Sequence, residues 1–372
     1  MKKKILLMYI SDNSGHHKAS LALETAFKYE YSDIETLNVN AFNYTNPVIE
    51  KIINSTYMSV IKRKPEFWGY LYDNPAILKQ AQNIRKIIHK HNTEKLKKLF
   101  ESFNPDACIC TQAFPCGMVA DYKKTFNAGF SLFGILTDFS PHSYWIFDNV
   151  DKYFIPASEA GEKLIKNGVA EDKICVSGIP IDPRFKSPIE KPMVLKKYGL
   201  RSDLPIILLM GGSQGIGPLK EVYASLNHMQ QQIQIIVVSG INKKIFRWFK
   251  RRERSSKQKL LSIPYAENVA ELMEISDILI SKPGGITLSE ALVKGLPLCV
   301  IKPIPGQEQM NTDYLLKHNL ALSLRNPAQC GIVIEELITN RSKLEQLSKK
   351  AKEFSKPDSA ITVVKKIMEH IT

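Results

Sequence analysis

No stretch of the sequence reaches the roughly 18 consecutive apolar residues that a membrane-spanning helix requires, so we expect no such helix. A secretory signal is not expected either, because the apolar run Ile5–Ile10 is short and is followed by polar residues rather than by a small-residue cleavage site. The six cysteines lie mostly inside apolar runs and form no Cys-X-X-Cys pair. We therefore expect reduced core thiols, as in a cytoplasmic protein, and no metal site.

Acidic residues are outnumbered, since 37 Asp and Glu oppose 51 Lys and Arg and leave a formal net charge of +14. An excess of this size favours an anionic partner, whether nucleic acid, an anionic membrane surface or a phosphorylated ligand. Much of it lies in residues 241–259, which contain nine basic residues and one acidic residue. The sequence contains no nucleic-acid-binding motif. We therefore predict no nucleic-acid partner. A basic nucleic-acid-binding protein is the alternative function from a different class, and the charge alone is what permits it.

The length of 372 residues exceeds that of a typical single core and fits two domains. Short apolar runs alternate with longer helical patterns along the whole chain, six runs in each half, as in the buried strands of parallel sheets. The pattern predicts an α/β protein with two Rossmann-like doubly wound domains. A proline-rich linker at 180–192 places the first domain at 1–187 and begins the second at 188.

Three loops rich in glycine or proline follow predicted strands of the second half, at 210–217, 280–290 and 302–309. In the first two, glycines would let backbone amides approach a phosphate at the start of a helix, where the helix dipole favours negative charge. The third presents the polar side chains of Gln307 and Glu308, which suit sugar hydroxyls. Each loop alone is also compatible with a turn that binds nothing. Because ligands of open α/β sheets bind at the carboxyl ends of strands, the three together favour a nucleotide diphosphate.

The 280–290 loop carries two further candidate ligands. The Thr287 hydroxyl could join the backbone amides in binding an anion. Glu290 stands about one helical turn further on and could accept hydrogen bonds from a ribose diol. The alternative for Glu290 is a purely structural role at the positive end of the helix dipole.

The first half contains a complementary loop, Ser11–Ala19, after the first predicted strand. Gly15 permits the turn, and His16 or His17 stands where a helix is predicted to begin. The positive end of a helix dipole favours the neutral imidazole that a general base requires. Either histidine could be the base, and a structural or solvated histidine is the alternative.

A second polar cluster, residues 137–145, follows a later strand of the same half. Asp138 could orient His16 or bind an acceptor hydroxyl. Trp145 could stack on a sugar or contact lipid, and the alternative is an aromatic that anchors the loop.

These motifs together resemble the diacylglycerol glycosyltransferases, which comprise bacterial processive diacylglycerol glucosyltransferases and plant monogalactosyldiacylglycerol synthases of glycosyltransferase family 28. The most specific motifs are Lys282–Ala291, which reads Lys-Pro-Gly-Gly-Ile-Thr-Leu-Ser-Glu-Ala, and Pro305–Glu308, which reads Pro-Gly-Gln-Glu. The other matching motifs run almost the full length and are Gly15-His16, Asn46-Pro47, Pro105-Asp106, Thr137-Asp138-Phe139, Val150–Tyr153, Gly178–Ile181 and Met210–Gly212.

The resemblance implies a GT-B fold, in which two domains face each other across a cleft. It implies a donor domain at 188–355 and a C-terminal helix over 356–372 that packs back on the first domain. The implied activity is an inverting transfer of glucose or galactose from a UDP-sugar to diacylglycerol or a related lipid, with no metal or other cofactor. The implied location is the cytoplasmic face of the membrane, where a peripheral enzyme would meet an anionic lipid surface.

The resemblance also implies roles for individual residues. His16 would be the base or its close partner, and Asp138 would be the second catalytic residue. The implied nucleotide-sugar contacts are Gly15, Arg184, Gly211, Gly212, Ser213, Gly240, Tyr265, Lys282, Gly284, Gly285, Thr287, Glu290, Gln307 and Glu308. The implied acceptor or membrane contacts are Trp68, His142 and Trp145.

Two other enzymes remain alternatives. The Gly-Gly-Ser-Gln-Gly loop at 211–215 also suits an N-acetylglucosaminyltransferase that acts on a polyprenyl-diphosphate lipid. A UDP-sugar epimerase of the same fold would need no lipid.

Two segments bear on membrane contact. Residues 48–61 have apolar side chains at helical spacing and precede cations and aromatics, which favours either an interfacial helix or a helix packed on its own domain. The basic segment at 241–259 has an apolar face that we expect to pack on a sheet.

Overall fold

The computed structural model describes residues 2–45, 94–140 and 143–372. The chain divides into two compact units. The first unit comprises Met1–Pro183, Ile304–Gln307 and Asp358–Thr372, and the second comprises Arg184–Pro303 and Glu308–Pro357.

The first unit is built on a six-stranded parallel sheet in the order β2-β1-β3-β4-β5-β6. Its strands are β1 (Lys3–Tyr9), β2 (Ile34–Asn40), β3 (Ala107–Cys110), β4 (Ser131–Ile135), β5 (Lys152–Ile155) and β6 (Ile174–Val176). Its α-helices are Gly15–Glu30, Ala41–Thr45, 94–103, Ala113–Phe126, Ser158–Lys166 and Ser359–Ile371. Alternate side chains of β1 and β3 enter two apolar clusters, as in a sheet covered on both faces.

The C-terminal helix, Ser359–Ile371, belongs to the first unit. Its apolar side chains Val363, Val364 and Ile367 are fully buried in the cluster that also contains Leu23 of the Gly15–Glu30 helix. The Lys3 ammonium donates to the Ile371 carbonyl at 3.1 Å, which ties the end of this helix to β1.

The second unit contains another six-stranded parallel sheet, in the order β12-β11-β10-β7-β8-β9. Its strands are β7 (Ile206–Met210), β8 (Gln234–Val238), β9 (Lys259–Ile263), β10 (Ile278–Ser281), β11 (Leu298–Ile301) and β12 (Ala321–Leu324). Its α-helices are Lys191–Tyr198, Leu219–Asn227, Lys243–Arg252, Val269–Glu274, Gly285–Lys294, Gln307–Lys317, Cys330–Thr339 and Arg341–Phe354. Gln307, the first residue of the sixth helix in this list, is grouped with the first unit.

The predicted fold class is confirmed, because both units are parallel α/β sheets with helices between successive strands. All six cysteines are free thiols, and five of them are buried. Within the described residues, no helix combines the length and the apolar character that crossing a bilayer would require.

Candidate active site

Each sheet has a topological switch point, where the strand order reverses and where ligands of doubly wound sheets bind. In the first sheet it lies between β1 and β3, and in the second between β7 and β10. The loop that carries His16 follows β1, and the glycine-rich loops at 211–217 and 282–284 follow β7 and β10. His16 and the glycines of these two loops thus lie at the positions that the topology favours.

His16 lies in the first turn of the Gly15–Glu30 helix and is partly buried. Its ring Nδ1 is 2.9 Å from the carbonyl oxygen of Thr111 and 2.9 Å from the hydroxyl of Thr137. The Thr111 hydroxyl donates in return to the His16 carbonyl at 2.9 Å. Residues that follow β1, β3 and β4 therefore hold one imidazole in a fixed orientation.

These contacts determine the tautomer of His16. A carbonyl oxygen can only accept a hydrogen bond. Nδ1 therefore carries the ring proton and donates a hydrogen bond to the Thr111 carbonyl. The ring lone pair is then on Nε2. Burial lowers the pKa of His16 to about 4, and the hydrogen bond to the Thr111 carbonyl opposes this only in part. At neutral pH the ring is uncharged and offers a base at Nε2.

The lowered pKa of His16 predicts a specific pH dependence of stability. The unfolded chain would protonate this ring near pH 6.5, whereas the folded protein protonates it near pH 4. The contribution to the free energy of unfolding is therefore complete above pH 6.5 and is lost as the pH falls to about 4. We expect the NMR titration of the His16 ring to have its midpoint near pH 4, and His16→Gln to weaken the pH dependence of urea unfolding between those limits. A midpoint near pH 6.5 would contradict the buried, neutral ring.

His17 has a different environment. Its Nδ1 accepts a hydrogen bond from the Asn13 amide at 3.3 Å, and its ring stacks on Tyr9 with centroids 4.1 Å apart. The Tyr9 hydroxyl donates to Asp12 at 2.9 Å. Burial lowers the pKa of His17, and the nearby Asp12 carboxylate opposes that shift. These contacts give His17 the role of a loop anchor and leave His16 as the stronger candidate for a base.

The orienting role that the sequence suggests for Asp138 is carried instead by Thr111 and Thr137, which bond to His16 directly. Asp138 is partly buried, and the Gln307 side-chain amide donates to its carboxylate. Thr137 precedes Asp138 in the predicted cluster. The sequence does not indicate that the threonine, rather than the neighbouring aspartate, contacts His16. Thr111 directly follows β3 and belongs to none of the predicted motifs, and only the fold brings it to His16.

Of the two roles considered for Trp145, the structure favours the aromatic that anchors the loop. Trp145 is 5% exposed and packs in the apolar cluster of the first unit, beside Gly134 of β4. Its ring is therefore a core side chain, at the end of the short 3₁₀ segment Ser143–Trp145. The other two predicted acceptor contacts, Trp68 and His142, lie outside the described residues.

The loops after β7 and β8 interlock. The Ile241 amide donates to the Ser213 carbonyl at 2.9 Å, and the Asn242 side-chain amide donates to the Gly215 carbonyl at 3.2 Å. Gly240 has φ +56°, and a Cβ at this position would collide with the Ser213 carbonyl. The backbone of Gly211–Ser213 is therefore fixed from the neighbouring loop, an arrangement that preorganises its amides.

The loops after β10 and β11 are joined by an ion pair. Lys282 Nζ is 2.8 Å from the Glu308 carboxylate, and the side chains of both residues are largely buried, at 11% and 20% exposure. The buried Asn311 side chain donates to the Pro283 carbonyl at 2.9 Å. The ion pair fixes the position of Lys282, which stands three residues before the first residue of the Gly285–Lys294 helix.

The Gly285–Lys294 helix begins with no side-chain cap among the described residues. A Cβ on its N-cap residue, Gly284, would have no heavy atom within 4 Å, so the side of the N-cap residue is open. Uncapped amides at a helix N-terminus bind anions. Gly285 is buried at this turn, and Thr287 and Glu290 follow it as partly buried side chains.

Three further predicted residues lie on other elements of the two units. Tyr265 is partly buried in the loop after β9. Arg184 is exposed in the short 3₁₀ segment Pro183–Lys186. Gly15 begins the helix that carries His16. Within residues 2–45, 94–140 and 143–372, no three His, Cys, Asp or Glu side chains group as a metal site requires.

Comparison with known proteins identifies relatives along almost the whole chain. Residues 16–181 match the monogalactosyldiacylglycerol (MGDG) synthase family model, and residues 206–369 match the glycosyltransferase family 28 C-terminal domain. The chain is 28% identical over 370 residues to the processive diacylglycerol beta-glucosyltransferase of Bacillus pumilus, covering 99% of this chain and 95% of that protein. The Bacillus subtilis protein of the same name is 27% identical over 372 residues, with the same coverage of both chains.

Solved structures share the fold. Acinetobacter baumannii MurG aligns with a TM-score of 0.65 and 13% identity over 99% of both chains. A complex of Staphylococcus aureus MnaA with UDP aligns with a TM-score of 0.67 and 14% identity, covering 99% of this chain and 97% of that one. Both likenesses show the GT-B type of architecture. The two family models, which follow one another along almost the whole chain, show that it belongs to the diacylglycerol glycosyltransferases of glycosyltransferase family 28.

Proposed function

We propose that this protein transfers a hexose, glucose or galactose, from a UDP-sugar to the hydroxyl of diacylglycerol and so makes a glycolipid. The observation that carries the proposal is the neutral His16, whose Nδ1–H is bound to the Thr111 carbonyl and whose Nε2 is left as a base. The relatives named processive diacylglycerol beta-glucosyltransferases support a glucosyl transfer and diacylglycerol as the acceptor.

The reaction is a single displacement at the anomeric carbon, with inversion. The acceptor oxygen forms a bond to that carbon while the bond to the UDP oxygen breaks, and Nε2 of His16 takes the hydroxyl proton. Negative charge then grows on the diphosphate. The first-turn amides of the Gly285–Lys294 helix and the fixed loop Gly211–Ser213 would stabilise that charge, with Lys282 close to the same turn. These groups let the step proceed without a metal or another cofactor.

The remaining assignments follow from the same proposal. Glu290 would bind the ribose, and Gln307 and Glu308 would contact the donor sugar. Asp138 accepts a hydrogen bond from Gln307 and would share the acceptor side of the reaction. The enzyme would act as a peripheral protein at the cytoplasmic face of the membrane, where its lipid acceptor is found.

A second candidate is a UDP-N-acetylglucosamine-dependent transferase that acts on a polyprenyl-diphosphate lipid. The Gly-Gly-Ser-Gln-Gly loop at 211–215 is compatible with it, whereas the likeness to MurG, at 13% identity, concerns the fold alone. The match of residues 16–181 to the monogalactosyldiacylglycerol synthase model favours diacylglycerol.

The test is a donor panel. We would incubate the protein separately with radiolabelled UDP-glucose, UDP-galactose and UDP-N-acetylglucosamine, over vesicles with and without diacylglycerol, and separate the extracted lipids. We expect labelled lipid from one or both hexoses only when diacylglycerol is present. Labelled lipid from UDP-N-acetylglucosamine with a polyprenyl diphosphate alone would support the second candidate. Conversion of the donor without any lipid would indicate an epimerase.

A further inference from the structure

The Lys243–Arg252 helix of the second unit has two faces of opposite character. Phe249 is fully buried, and Ile245 and Trp248 pack against the same apolar cluster. The Arg252 guanidinium stacks on the Trp248 ring, 3.4 Å from its centroid. The apolar face of the helix is therefore committed to the core of its own unit and cannot insert into a bilayer.

The opposite face carries four exposed cations, Lys243, Lys244, Arg247 and Arg251, which we call the cationic face. At 3.6 residues per turn these positions span an arc of about 100° along a helix about 15 Å long. Among the residues that the structure describes, none of the four has an ion-pair partner, whereas the neighbouring Lys250 is paired with Glu253 at 2.7 Å. The cationic face is therefore an uncompensated strip of positive charge.

The strip begins beside the candidate donor site. The helix N-cap, Asn242, accepts a hydrogen bond from the Ile245 amide at 3.1 Å and donates one to the Gly215 carbonyl in the loop after β7. The first two cations, Lys243 and Lys244, follow directly. A planar anionic surface bound by this face would therefore lie near the edge of the sheet at which the glycine-rich loops end.

We propose that the cationic face binds anionic lipid headgroups and holds the donor-binding unit at the membrane surface. The inference rests on the proposed function, because an enzyme that glycosylates diacylglycerol must work where that lipid is. Since the apolar face is buried, the interaction is electrostatic adsorption without insertion, and it weakens as ionic strength rises.

The test is vesicle co-sedimentation of the full chain with phosphatidylcholine alone and with phosphatidylcholine mixed with phosphatidylglycerol. The variant Lys243→Gln/Lys244→Gln/Arg247→Gln/Arg251→Gln is compared with Lys196→Gln/Arg341→Gln/Lys349→Gln/Lys356→Gln. The second variant removes the same charge from exposed positions elsewhere in the unit. Each surface cation contributes about 1 kcal/mol, so the first variant should lose affinity for the mixed vesicles by about 10²-fold or more, and the second by a few-fold at most.

Equal losses in the two variants, or no loss in the first, would overturn the inference. If the first variant keeps vesicle binding and instead loses affinity for duplex DNA, the surface is one for nucleic acid. Sugar transfer to diacylglycerol dispersed in detergent separates this inference from the proposed function. The first variant should retain that activity in full, and absence of the activity in the unsubstituted protein would count against the proposed function alone.

Discussion

Replacing His16 with alanine is expected to lower the rate of sugar transfer by about 10²–10⁴-fold, the usual contribution of a positioned general base. The loss should fall on kcat, because Nε2 takes a proton as the acceptor attacks and is not needed to bind the donor. UDP affinity, measured by calorimetry, should stay within a few-fold. His16→Asn is the conservative companion, since its amide can still donate to the Thr111 carbonyl and keep the loop in place while it removes the base.

The matched control is His17→Phe, which keeps an aromatic ring to stack on Tyr9 and loses only the bond from the Asn13 amide. We expect a fall in rate of a few-fold or less. If His17→Phe instead abolished transfer and both His16 variants retained it, the base would be the second histidine. A loss of UDP binding in His16→Ala together with unfolding would mean that the ring is structural. His16→Asn distinguishes that outcome from loss of a base.

The fold could be predicted from the sequence almost completely. Buried parallel strands are unbroken apolar runs, and runs such as Ala107–Cys110 and Ile278–Ser281 coincide with the observed strands. The runs do not determine strand order, which depends on how the helices pack. The order places β1 beside β3 and β7 beside β10, and these neighbours form the two switch points.

The candidate site was predicted less evenly. Glycines in loops after strands can be recognised in the sequence as turn residues, and histidines in such loops as candidate bases. The partners of those residues are not visible. Thr111 and Asn311 are ordinary polar residues whose importance comes from contacts across 95 and 28 positions. For Trp145 the sequence left two roles open, a contact with sugar or lipid and an anchor of the loop, and its packing in the apolar cluster favours the second.

The second large effect is expected from Gly240→Ala. With φ +56° an alanine here is strained by about 1 kcal/mol, and its Cβ would also collide with the Ser213 carbonyl. Relief of that collision must move the backbone of the loop after β7, whose amides we propose to bind the diphosphate. Affinity for UDP should fall at least about 10-fold, because a displaced backbone amide loses its hydrogen bond to the diphosphate. The value of kcat should fall with it.

Gly199→Ala is the control that isolates the collision. Gly199 has φ +62°, close to that of Gly240, but a Cβ there would meet no heavy atom within 4 Å. It ends the Lys191–Tyr198 helix, away from the glycine-rich loops in sequence. Both substitutions should lower the free energy of unfolding by a similar amount, because both place an alanine at a positive φ. Only Gly240→Ala should also weaken UDP binding. Equal UDP affinity in the two variants would mean that the interlock between the loops after β7 and β8 does not shape the donor site. The amides of the Gly285–Lys294 helix would then have to hold the diphosphate without the loop after β7.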